Sequence, residues 1–155
     1  PDQAFWAQQT EVLFDGASAW TVLAEGNDSE ALKLMRAAAD LEDSTEKNVA
    51  MENRLYPMRE SLGYMLLELN QPKQALAEFL ASAKSTPKRL RGLYGAGKAA
   101  EMSGDSAAAR DYYEKLIALT KNADSDRAEL ADARAFLAKA KTQAMRNGLK
   151  NNSPK

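Results

Sequence analysis

Cysteine and histidine are both missing from the 155-residue chain. Their absence removes thiolate nucleophiles, disulfides, Ser-His-Asp triads, His-ligated haem and the common zinc sites together, so neither a metal nor a cofactor is expected. The chemistry left is carboxylates, Lys, Tyr and Ser, none of which ordinarily titrates near neutral pH. β-Branched aliphatic residues are nearly as scarce, with three Val and one Ile against 29 Ala and 19 Leu. Helix formers in that excess over strand formers point to an all-α protein. No apolar run approaches the roughly 18 residues of a membrane span, so membrane insertion is not expected. Net charge is small as well: 21 basic and 22 acidic residues leave −1, which gives the whole molecule no attraction to nucleic acid or an anionic membrane.

What is present is unevenly placed. Glu25 to Glu52 holds eight acids and three bases, whereas Lys84 to Lys98 holds five bases and no acid. The length suits one domain or a short array of repeats with a real core. Lack of Cys suits cytosol and periplasm alike. The chain begins at Pro1 with neither an initiator Met nor a signal peptide, and is read as processed or trimmed.

Periodicity near 3.6 runs through most of the sequence. A long first helix is predicted over Gln3 to Glu25, with Trp6, Gln9, Leu13, Ala17, Trp20 and Leu23 or Ala24 on its apolar stripe. Gly26-Asn27-Asp28-Ser29 ends it and starts a second helix over Glu30 to Leu41, capped by Asp28 or Ser29. Glu42 to Asn53 reads as an acidic connector, with helical continuation through Thr45 to Met51 as the alternative. Further helices are predicted at Pro57 to Leu69, Pro72 to Ser85, Lys88 to Ser103, Ser106 to Thr120 and Asp126 to Arg146, before a flexible tail from Asn147 to Lys155. The last helix puts Leu130, Ala133, Leu137, Ala140 and Ala144 on one face.

Residues 56 to 89 and 90 to 123 align with a period of 34: Gly63 meets Gly97, Asn70 meets Gly104, Ala75 meets Ala109, Phe79 meets Tyr113, and Ser82 meets Leu116. A third copy, about 12 to 45, places Ala19, Ala31, Met35 and Ala38 at the same positions, with Ala31 standing 44 residues before Ala75 because the connector adds ten. Small residues recur where two helices would cross, and a large one recurs on the second helix. This spacing resembles the tetratricopeptide repeat (TPR), with Pro87 in the position near the end of the repeat where that family places proline. The resemblance implies a right-handed α-solenoid of three TPR-like helix pairs in one domain over 1–146, with 126–146 as a capping helix. Whole strings such as Ala19-Trp20-Thr21-Val22-Leu23-Ala24-Glu25-Gly26 also resemble the C-terminal region of larger bacterial multi-repeat proteins, many exported; that likeness favours the periplasm or export, with the cytoplasm still open.

Gly92-Leu93-Tyr94-Gly95-Ala96-Gly97-Lys98-Ala99 has the glycine and lysine spacing of a phosphate loop, but Ala99 stands where Mg²⁺ needs Ser or Thr and no strand precedes it. Carboxylate pairs such as Glu11 with Asp15 fall on polar helix faces and are read as solvated. No catalytic residue is therefore assigned. The repeat register instead lines a concave groove with Pro57, Glu60, Tyr64 and Leu67 from one copy and Arg91, Tyr94, Lys98 and Glu101 from the next. That lining suits a protein or peptide segment with an apolar anchor and an acidic neighbour. The expected function is a non-catalytic interaction module. The alternative is a structural or oligomerisation module, packing through Trp6, Leu13 and Trp20 of the long first helix or forming the C-terminal part of a larger TPR scaffold.

Overall fold

The computed structural model describes residues 3–45, 56–124 and 126–151, with side chains described as far as residue 142. Among them are seven α-helices and no strand: α1 (Gln3–Ala24), α2 (Asp28–Ser44), α3 (Met58–Glu68), α4 (Pro72–Ser85), α5 (Leu90–Met102), α6 (Ser106–Leu119) and α7 (Ala128–Asn151). The all-α reading of the composition holds. Each helix packs on the next in sequence, except that α1 also meets α3, α3 meets α5, and α5 meets α7. The odd-numbered helices thus form one side-by-side layer, while the even-numbered helices stand further apart, with Arg36 of α2 reaching Gln74 and Glu78 of α4 through its long side chain.

One turn joins α1 to α2, α3 to α4, and α5 to α6. Gly26, Asn70 and Gly104 take φ of 85°, 53° and 80° and donate to the carbonyls of Leu23, Leu67 and Glu101. The next residue in each case reaches one step further back: Asn27 to Val22 at 3.1 Å, Gln71 to Leu66 at 2.8 Å, and Asp105 to Ala100 at 3.0 Å. Two helix-end carbonyls are satisfied each time, by a residue in the left-handed region that Gly tolerates freely and Asn better than most. Asn27 and Asp105 then cap the following helix, accepting from the amides of Glu30 at 3.4 Å and Ala108 at 2.9 Å. The cap expected at Asp28 or Ser29 lies one residue earlier, because Asn27 directly follows the left-handed Gly26.

Burial recurs at the same offsets. Ala31, Ala75 and Ala109 are wholly buried, as are Met35, Phe79 and Tyr113 in the large position and Ala38, Ser82 and Leu116 beyond it. A Cβ on Gly63 would lie 2.7 Å from Cζ of Phe79, and one on Gly97 would lie 2.6 Å from Cε1 of Tyr113. Ring size on one helix is matched by the missing side chain on the other. Where the large position holds the flexible Met35, the small one is Ala19. Ala109→Leu is therefore expected to cost about 1 to 3 kcal/mol by overpacking. Ala107→Leu, at an exposed site in the same helix, is expected to be near neutral, and urea unfolding of both variants checks the difference.

Three predicted features are corrected. The buried face of α1 is Val12, Gly16 and Ala19, not the Trp6–Leu13–Ala17 stripe; Leu13 is 62% exposed and Trp6 46%. The reason is close approach, since a Cβ on Gly16 would lie 2.7 Å from Sδ of Met58. Trp20 is tied into the fold, its Nε1 donating to Oγ of Ser61 at 2.8 Å. The connector begins later than expected, because α2 continues to Ser44 and Glu42 is buried, accepting the Met58 amide at 2.8 Å. Pro57, which precedes α3, has no side-chain acceptor to offer; Glu42 supplies one from 16 residues away. Residues 46–53 of the connector lie outside the described residues. Finally, α7 runs to Asn151, into the predicted tail, of which 152–155 lie outside the described residues.

Candidate functional site

Apart from Pro57, which precedes α3 and is buried and not groove-lining, the predicted groove residues fall on α3 and α5, adjacent in the odd-numbered layer, with α7 beside α5. Tyr64 and Arg91 form its centre. The Tyr64 hydroxyl donates to the Arg91 carbonyl at 2.9 Å, and the Arg91 guanidinium lies 4.6 Å from the centre of the Tyr64 ring and 5.1 Å from that of Tyr56. Two aromatic faces hold one cation, an electrostatic attraction that strengthens as water is excluded. Burial pushes the Tyr64 phenol well above its ordinary range, with Arg91 opposing the shift. It stays neutral and donating.

Tyr94 and Glu101 face other partners. The Tyr94 hydroxyl donates to Asp132 of α7 at 2.8 Å, and its ring lies 6.2 Å from that of Tyr113. Burial first, and then the hydrogen bond to Asp132, pushes this phenol up as well. Glu101 accepts from the Tyr113 hydroxyl at 2.9 Å and stands 3.6 Å from the Lys98 ammonium. Lys98 and Glu101 remain over a third exposed, so that ion pair is open to water and weakly held. Leu67 is half-buried against the main core. Of the basic segment, Lys84 and Lys88 are exposed and Arg89 pairs with Glu60, while the groove residues Arg91, partly exposed over the Tyr56 and Tyr64 rings, and Lys98 are both within reach of solvent.

Glu60 is corrected. It does not line an open groove, being 1% exposed with Oε1 accepting from Nε of Arg89 at 2.8 Å and Oε2 without a hydrogen bond among the described residues. Gly92 gives it room, since a Cβ there would come within 3.1 Å of Oε1. Burial raises the Glu60 carboxyl above its ordinary range, and attraction to Arg89 only partly offsets this. A carboxyl that holds its proton more tightly folded than unfolded favours the fold below the unfolded pKa of about 4.3, and that advantage is lost as pH rises through the folded value. Glu60→Gln is accordingly expected to match the wild type at acid pH and to gain on it as pH rises, read from urea midpoints across the range.

The sequence reading missed Tyr56, Glu129 and Asp132. Tyr56 is one residue before Pro57, just outside the helical register that sets the groove positions; the two acids are on α7, a capping helix outside that register. Glu129 is held below the usual carboxylate range chiefly by its hydrogen bond from Arg127, with Arg91 contributing. Among the described residues no cluster of three or more carboxylates suits a metal ion. The glycine-rich segment Gly92 to Ala99 lies wholly inside α5, with Gly95 and Gly97 packed under Phe79 and Tyr113, so its glycines serve helix packing. No helix among the described residues is long and apolar enough to cross a membrane. Comparison with protein-family models and with curated protein sequences finds no match.

Proposed function

We propose that the chain is a non-catalytic protein-interaction module, a right-handed TPR-like α-solenoid of three helix pairs capped by α7, which binds a peptide segment across α3, α5 and α7. The thrice-repeated turn and the side-by-side odd-numbered helices support the architecture. The observation that carries the function is the ribbon of Tyr56, Tyr64, Arg91, Tyr94 and Lys98. It offers aromatic contact area and two cations, on elements whose rotamers are held by neighbours. Aromatic and Arg side chains held in this way dominate most peptide and protein interfaces. Arg91 and Lys98 favour an acidic residue in the partner; Glu129 and Asp132 at the α7 side disfavour one there.

The test is selection of peptides from a displayed random library on the full chain, followed by titration. Enriched peptides are expected to pair an apolar anchor with an acidic neighbour. Lys98→Glu should weaken them about tenfold or more, and more steeply at low salt, with thermal stability nearly unchanged. Tyr94→Ala is not a clean probe, since it removes the contact with Asp132 and destabilises the fold. Peptides that bind Lys98→Glu and Arg91→Gln as tightly as the wild type would overturn the proposal.

A further inference from the structure

We propose a second docking surface, away from the groove: the open face of α1 takes an amphipathic helix from another polypeptide, seated as α2 seats on α3 and basic along the edge that meets Asp15. At the 44-residue offset set by the turns, Phe14, Ala17, Ser18 and Thr21 of α1 stand where Met58, Ser61, Leu62 and Met65 stand in α3. Those four α3 residues are between 0 and 4% exposed. At the same places in α5, Gly95, Ala96 and Ala99 are buried too. On α3 the cover is α2 together with Gly16 and Trp20 of α1, which meet Met58 and Ser61, and on α5 it includes α4, in each case the second helix of the preceding pair. Among the described residues the same face of α1 is open. Phe14 is 69% exposed, Ala17 and Thr21 are exposed, and a shallow groove runs between them and Glu25.

Charge specifies the occupant. Arg59 fastens α3 to α2, reaching Asp40 at 2.6 Å and Asp43 at 2.8 Å. The position equivalent to Arg59 on α1 is Asp15, which makes no ion pair among the described residues. The only other charge in α1 is Glu11. A helix seated here must therefore carry Lys or Arg where α2 carries Asp40 and Asp43. The α2 of a second copy is acidic at those places, and an anionic membrane would be repelled by the same acids. Size specifies the anchor. Gly95 lies directly under the Phe79 ring, whereas Ala17 in its place carries a methyl group, so the occupant's central residue is a flexible, unbranched Met, as Met35 is in α2. Ser18 and Thr21 replace Leu62 and Met65, so the contact is less apolar than that of α2 on α3 and the occupant is exchangeable.

The probe is a peptide of the α2 sequence, residues 28–44, stapled helical on its solvent face and carrying Asp40→Lys and Asp43→Lys. It is titrated into the isotopically labelled full chain. Amide shifts are expected at Phe14, Ala17 and Thr21, with affinity roughly tenfold above that of the native-sequence peptide. Asp15→Lys should reverse that preference, and Lys98→Glu, which tests the groove, should leave it unchanged. Equal binding of the two peptides, or no shift on α1 at millimolar peptide, would overturn the proposal. So would sedimentation showing a dimer that Phe14→Glu dissolves, or capture by phosphatidylserine vesicles that the same change abolishes.

Discussion

Phe79→Ala is expected to lower the unfolding free energy by about 3 to 5 kcal/mol, the usual range for emptying a buried aromatic site. The ring is 1% exposed and serves three helices at once. On its own side of the layer it fills the space over Gly63 of α3; across the next boundary it fills the space over Gly95 of α5, and the ring of Tyr64 stands edge-on at 5.1 Å. Neither glycine can close the gap, because each belongs to a helix held by other contacts. The cavity should therefore persist, and persistent cavities are the costly ones. Gly95→Ala tests the same joint from the other side, since the added Cβ would overlap the ring tip at its Cζ. Each single change should destabilise; Gly95→Ala combined with Phe79→Leu should cost less than the two separately, because the smaller side chain makes room for the methyl group. Urea unfolding of the four proteins checks this. Strict additivity would mean that Phe79 and Gly95 do not share a site.

The positions that carry this joint were legible in the sequence because their chemistry is restrictive. A left-handed turn residue wants Gly or Asn, a helix crossing wants Gly or Ala, and a ring opposite a glycine repeats at the same offset. Size misleads in the stripe of α1: Trp6 and Leu13 look like core, yet α2 and α3 come close enough that only Val12, Gly16 and Ala19 fit between them. Glu42 and Glu60 were illegible for a different reason. Each is a carboxylate in a polar-looking stretch, and each is buried by a partner far away in sequence, the Met58 amide in one case and Arg89 in the other. Helical periodicity reports which face a residue shares with its neighbours. It says nothing of a cap or counter-ion delivered by another element, such as the Asp132 carboxylate that α7 brings to the Tyr94 hydroxyl.

Arg59→Met is expected to cost about 2 kcal/mol, between the small effect of an exposed pair and the 3 to 5 kcal/mol of breaking a buried one. The guanidinium, 20% exposed, binds Asp40 and Asp43 of α2 and, at 3.1 Å, Glu78 of α4. Removing it leaves three carboxylates around an apolar side chain, of which Glu78 is 14% exposed and keeps only the longer contact to Arg36 at 3.6 Å. Most of the loss should come from Glu78, since Asp40 is 70% exposed and recovers water readily. Asp40→Asn should consequently cost under about 1 kcal/mol. Lys at position 59 keeps the charge but not the planar fork that reaches three acids, so Arg59→Lys should recover only part of the deficit. Raising salt to about 1 M, where screening acts within roughly 3 Å, should narrow the gap between Arg59→Met and wild type by relieving repulsion among the acids. Urea midpoints at low and high salt decide the matter. A deficit that salt leaves untouched would assign the role of Arg59 to the packing of its methylenes, and would remove the charge rule from which the occupant of α1 was specified.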